Sequence, residues 1–191
     1  MTDSAHEQES FPNSAVRRLA AIEEKIIPDS FLIAVTTVPV TVGAEWVKLD
    51  GFVVGPQNFD LDVGPDVRLC DDGDGMDLLS TGHYHLQLNC QLTNPTVDGW
   101  FESAVQPSLP ESFEWPTEDI TGSHSGRWIP ALAATYYGAS LGANVGYTTP
   151  TMPVNSTVTG WCRYATEHGG DATPTGTIDV VAILYVVRVT S

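Results

Sequence analysis

Residues 80–94 read STGHYHLQLNCQLTN. From His83 onward the residues alternate, with Tyr84, Leu86, Leu88, Cys90 and Leu92 set against His83, His85, Gln87, Asn89 and Gln91. Five consecutive alternations match the two-residue period of a β-strand and leave no helical stripe. One face is apolar and the other polar but uncharged, the pattern of a strand with one side in a core. The same period puts the imidazoles of His83 and His85 on one side, either as a metal-binding pair or as the outer face of that strand.

The chain around this strand keeps the same period. FLIAVTTVPVTV (31–42) predicts a strand entering a turn, and EWVKLDGFVV (45–54) predicts a second strand beginning at Trp46 and Val47. In NFDLDVGPDVRL (58–69), Phe59, Leu61 and Val63 alternate with Asn58, Asp60 and Asp62, as in a strand with one wet face. A short strand around Met76 leads through a Thr81-Gly82 turn into 83–93, and DGWFESAVQ (98–106) is expected to be the partner of 83–93. Residues 106–126, rich in proline, serine and acids, form the longest expected loop. RWIPALAATYY (127–137) and SLGANVGYT (140–148) are interrupted strand candidates, and VTGWCRYAT (158–166) is a firmer one.

In the closing stretch GTIDVVAILYVVRVT, both faces are apolar. Ile178, Val180, Ala182, Leu184 and Val186 fill one, and Val181, Ile183, Tyr185, Val187 and Val189 the other. Such a strand needs cover on both sides, and in an antiparallel sandwich a neighbouring subunit is the simplest outer cover. Strands dominate, with no β-α-β alternation and no internal repeat, so the fold class is all-β.

The N-terminal region differs. Residues 1–13 are a polar tail, and 14–28 read as a short helix capped by Asn13 or Ser14 and stopped at Pro28, with Val16, Leu19, Ile22 and Ile26 on one side. A helix this short needs something to pack on, either the domain, a partner or two further copies. Residues 29–191 form the main domain, and the 191-residue length suits one substantial core.

The charge balance narrows the function. Against 24 acidic residues stand 8 basic ones, a formal net charge of −16. Such a surface repels phosphate backbones and anionic bilayers, so neither nucleic-acid binding nor adsorption to anionic membranes is expected. Membrane insertion is not expected because no apolar stretch is long enough to span a bilayer as a helix. The three cysteines have no CxxC spacing and form neither a zinc motif nor a disulfide framework. The opening MTDSAHEQES lacks a basic region followed by an apolar run, so no signal peptide is expected and synthesis in a cytosol is.

The order of features resembles a known architecture. It comprises a short helix, a strand, Gly43-x-x-Trp46-Val47-Lys48-Leu49, Phe59-x-Leu61, Asp74-Gly75-Met76-Asp77-Leu78, Thr81-Gly82-His83-Tyr84-His85-Leu86, and a strongly apolar last strand. This is similar to the jelly roll of the tumour-necrosis-factor and complement-globular-head type, particularly versions in virion proteins of tailed bacterial and archaeal viruses. The resemblance spans roughly 31–191, is most specific from Gly75 to Leu92, and matches no recognisable pattern over 106–157. It implies an antiparallel jelly-roll β-sandwich assembled as a homotrimer, with Val181, Ile183, Tyr185 and Val187 in the trimer interface. It also implies display, decoration or recognition rather than catalysis.

Several candidate sites remain. The turn DDGDGMD (71–77) offers Asp72, Asp74 and Asp77 as hard oxygen ligands that could take calcium, but it lacks the closing glutamate of an EF-hand, and an acidic surface turn is the plainer reading. His83 and His85 have no identifiable third ligand within the chain. Gly122-Ser123-His124-Ser125-Gly126 lacks the spacing of a nucleophile elbow, and the acids at Glu111, Glu114, Glu118 and Asp119 are unspecific as a glycosidase pair. No cofactor is expected. The aromatics Trp100, Phe101, Trp115, Trp128, Tyr136 and Tyr137 could line a carbohydrate or receptor groove, although packing accounts for most of them. Trp115, on the acidic loop, is the one marked as a receptor contact. Together these readings predict a non-enzymatic protein of the virion surface, made in the host cytoplasm. It would be a capsid decoration or spike whose helix residues Val16, Leu19, Ile22 and Ile26 touch the major capsid protein or another virion partner. The alternatives are a tail-tip or fibre protein binding a host-surface glycan or protein, and a carbohydrate-binding or carbohydrate-active sandwich.

Overall fold

The computed structural model describes residues 31–36, 39–55, 64–93, 95, 98–108, 124–129, 142–170, 172–173 and 178–189. Their strands are β1 (Phe31–Thr36), β2 (Val40–Val42), β3 (Val47–Lys48), β4 (Phe52–Val54), β5 (Val67–Leu69), β6 (Met76–Leu78), β7 (His83–Thr93), β8 (Gly99–Ser108), β9 (His124–Ile129), β10 (Gly142–Thr148), β11 (Ser156–Ala165) and β12 (Ile178–Val189). The first sheet runs β10-β7-β12-β1-β4 with β2 also against β12, and the second runs β5-β6-β11-β8-β9 with β3 also against β11. All these pairings are antiparallel.

The pairing is nested. β1 pairs with β12, β6 with β11, β7 with β10 and β8 with β9, and successive pairs lie in alternate sheets. A long hairpin wrapped in this way is the jelly-roll form of the β-sandwich. The expected helix at 14–28 and the residues Val16, Leu19, Ile22 and Ile26 lie outside the described residues, as do the tail and Trp115.

The alternation of residues 83–93 directs the packing. Tyr84, Leu86, Leu88, Cys90 and Leu92 are all buried, and the opposing stripe of β12, Ile178 to Val186, is buried beside them. The two stripes are in register, Leu88 opposite Leu184 and Leu86 opposite Val186. Burying each such aliphatic side chain stabilises the fold by about 1.5–3 kcal/mol before chain ordering is counted. From the other sheet, Phe101, Val105, Val158, Cys162 and Tyr164 complete the core. Gly160 lets the sheets approach at the centre, since a Cβ there would stand 3.2 Å from Leu49 Cδ1 and Leu88 Cδ1.

Three expectations are corrected. DGWFESAVQ does not pair with β7; as β8 it crosses to the other sheet and lies between β11 and β9, while β7 pairs with β12 and β10. EWVKLDGFVV is two strands, because Gly51 takes a φ of 66° and sends β3 and β4 to different sheets. The expected Thr81-Gly82 turn lies between β6 and β7 and carries the chain from the second sheet to the first. Residues 106–108 and 124–126 belong to β8 and β9, so the segment between those strands is shorter than 106–126.

Candidate functional site

Three groupings of chemically distinctive residues stand out, beginning with the outward face of the first sheet. The register places Val53 of β4 beside Val35 of β1, Val35 beside Ile183 of β12, and Ile33 beside Tyr185. On the other side of β12, Val181, Ile183, Tyr185 and Val187 stand next to Gln91, Asn89, Gln87 and His85. Asn144, Gly146 and Thr148 of β10 extend the same face. Val181, Ile183, Tyr185 and Val187 are each half-buried, and Val53 is exposed. With histidine counted neutral, Asp179 at one end is the single formal charge among the described residues of this face. In a chain of net charge −16 that is an unusual concentration of neutral surface.

The predicted metal candidates do not converge. Among the described residues, no group of three or more His, Cys, Asp or Glu is placed to hold a metal ion. In the acidic turn, Asp74 is ion-paired with Lys48 Nζ, and its backbone N–H donates to Asp72 Oδ1 at 3.0 Å. Asp77 takes Arg68 at 3.0 Å and accepts from Cys70 Sγ at 3.3 Å. His83 sits between Thr149 O (3.1 Å) and Thr151 Oγ1 (3.2 Å), and His85 bonds Thr148 Oγ1 at 3.2 Å. These contacts fix the shape of the turn and of the strand end.

The Cys70 thiol shows the effect of that turn. Burial, and then the adjacent Asp77 carboxylate, push it up to about 12 from an ordinary value of 9.0, which leaves roughly a thousandfold less thiolate at neutral pH. Cys90 and Cys162 are buried, and desolvation also raises them. Cys70 is therefore expected to react with iodoacetamide at pH 8 at least about a hundredfold more slowly than a free thiol. Asp77→Asn removes the negative neighbour, lowers the thiol pKa and speeds labelling. Residue-resolved mass spectrometry reads both rates, and wild-type labelling at the rate of a free thiol would refute the assignment.

Gly82 and Tyr84, prominent in the sequence, have a physical role here. Tyr84 OH donates to Ser80 O at 2.6 Å, and Ser80 Oγ in turn donates to Asp66. Arg188 Nη1 bonds Asp66 Oδ2 at 3.0 Å and Nη2 bonds Thr81 O at 3.0 Å. A Cβ on Gly82 would stand 3.0 Å from Arg188 Nε, so glycine leaves room for the guanidinium. The motif thus fastens the end of β12 to the segments preceding β5 and β7.

The third grouping lies on the outward side of β8, β9 and β11, and sequence reasoning did not assemble it. Glu102 and Arg163 are register partners, and Arg163 Nε bonds Glu102 Oε2 at 2.5 Å with both side chains almost wholly buried. Gly126, beside Glu102 on β9, provides space, since its Cβ would stand 3.0 Å from Glu102 Cγ. Arg163 Cζ lies 4.9 Å from the centre of the Trp46 ring, a cation–π contact. The other carboxylate oxygen of Glu102 is 3.5 Å from His168 Nε2. His168 stands edge-on to Trp100 at 5.3 Å, and Trp100 edge-on to Trp128 at 6.4 Å. The hint in the sequence was a glutamate and an arginine each at an alternate position of an otherwise small or apolar strand, 61 residues apart.

No family model matches the chain, and a comparison with curated proteins finds no match. Solved structures similar to it include the following two. One is an Eiger TNF from S. frugiperda, with TM-score 0.46 and 12% identity over 86% of this chain and 95% of that one. The other is the PRD1 vertex protein P5, with TM-score 0.48 and 10% identity over 86% of this chain and 99% of that one. The strand pairings themselves carry the fold assignment.

Proposed function

We propose that this chain is a non-enzymatic structural protein of a tailed virus particle, a homotrimeric decoration or spike on the capsid surface, made in the host cytoplasm. The observation that carries the reading is the neutral outward face of β12 and its neighbours. Copies bearing a net charge of −16 repel one another, and at physiological salt that repulsion fades only beyond about 8 Å. Close association therefore needs a patch free of carboxylates that buries apolar area, and Val181, Ile183, Tyr185 and Val187 with Ile33 and Val35 supply one. The sequence resemblance to jelly-roll virion proteins supplies the setting. In this reading Val16, Leu19, Ile22 and Ile26 contact the capsid shell or a neighbouring virion protein.

Light scattering after size exclusion is expected to give the mass of three chains at micromolar concentration. Ile183→Glu, which places three carboxylates in the shared face, is expected to weaken assembly at least about a hundredfold and yield monomer. A wild-type mass of one chain would refute the trimer. Labelled antibody on intact particles tests the location. Label on the head supports a decoration or spike, and label at the tail selects the second reading, a tail-tip or fibre protein.

A further inference from the structure

The aromatic group at the end of β8 and β9 has no role in the core or in the proposed subunit contact. Trp128 is 45% exposed, and the His168 side chain is 62% exposed. Both are held by structure beneath them. His168 lies on the tight turn that follows β11, where Gly169 takes a φ of 68° and Gly170 N–H donates to Glu167 O at 2.9 Å. The buried Glu102 carboxylate lies under the imidazole and is itself fixed by Arg163, which Trp46 backs. Trp100 makes edge contacts with both His168 and Trp128.

We propose that Trp128, Trp100 and His168 form a binding site for a neutral saccharide. A pyranose ring has an apolar face of C–H groups, which packs on indole, and a rim of hydroxyls, which hydrogen-bonds to a side chain such as imidazole. The exposed indole of Trp128, with the half-buried Trp100 and an oriented imidazole beside it, provides both. The local charge selects against anionic ligands, because Glu102 and Arg163 cancel beneath the site while the chain as a whole carries −16. An acidic sugar would meet long-range repulsion, whereas a neutral one would not. Glu102 acts as a positioning residue that holds His168 in place. The site depends neither on the trimer nor on the viral setting.

Saturation-transfer NMR on the intact chain tests this with maltotriose, cellotriose, chitotriose and mannotriose, and with sialyllactose as the acidic probe. At least one neutral trisaccharide is expected to receive saturation and sialyllactose none. Trp128→Ala is expected to weaken that binding roughly tenfold or more while leaving the melting temperature unchanged, since its side chain is exposed. His168→Ala is expected to weaken it less. The proposal is overturned if no neutral trisaccharide receives saturation, if Trp128→Ala binds equally well, or if only sialyllactose binds. Protection of Trp128 from acrylamide quenching in the assembled protein would also overturn it, and would assign the patch to a protein contact.

Discussion

Replacing Arg163 with methionine is expected to destabilise the fold by about 3–5 kcal/mol, measured by urea unfolding at fixed protein concentration. Glu102 is buried between Gly126 and Arg163, and the guanidinium is its immediate counter-charge. Removing the cation leaves a carboxylate away from water, and His168 at 3.5 Å offers a longer and more exposed contact. The variant also loses the cation–π contact with Trp46. The double variant Glu102→Leu/Arg163→Met removes both charges and is expected to be more stable than Arg163→Met alone, because a buried ion pair costs desolvation that an apolar pair does not. A loss below about 1 kcal/mol in the single variant would show that the pair is not buried in solution.

The second large effect is at the centre of the core. Leu88→Ala is expected to cost about 2–5 kcal/mol, since Leu88 is fully buried between Leu184 on its own sheet and Gly160 on the other. The position also offers a compensating change. In the wild type, a Cβ at residue 160 would press on both methyls of Leu88, at 3.2 and 3.3 Å, so Gly160→Ala alone is expected to be destabilising. Once Leu88 is cut back, that Cβ has space to occupy. Leu88→Ala/Gly160→Ala is therefore expected to be more stable than the sum of the single losses predicts. Strict additivity in a thermal double-mutant cycle would mean that the sheets do not meet at this point.

These two sites differ in how far they could be foreseen. Leu88 belongs to an uninterrupted alternation, and periodicity alone placed it in the core. The same logic identified both faces of β12, because a period of two specifies direction without reference to partners. Partner choice is not encoded that way. β8 follows β7 closely, and proximity suggested a hairpin, yet the chain crosses to the opposite sheet and pairs β8 with a strand some 60 residues later. The Glu102–Arg163 pair was hidden for the same reason, since it exists only once β8 and β11 are in register. Gly51 was visible as a glycine, but its left-handed conformation, which divides 45–54 between two sheets, depends on what flanks it in space. The aspartates of 71–77 were visible as acids, while Lys48 and Arg68, which pair with two of them, lie outside the motif.

The position of β12 between β7 and β1 also affects how the protein is made. Residues 31–36 wait for residues 183–187, and β7 waits for the same strand. During translation the first sheet therefore stays split, with β1 and β7 exposing apolar edges until residues 178–189 clear the ribosome. Such long-range closure slows folding and lengthens exposure to aggregation. A chain arrested before residue 178 should be protease-sensitive, and all 191 residues held clear of the ribosome by an added C-terminal linker should be resistant. The strand proposed to join subunits would then also be the step that completes each subunit, so assembly would be delayed until synthesis of the domain is finished.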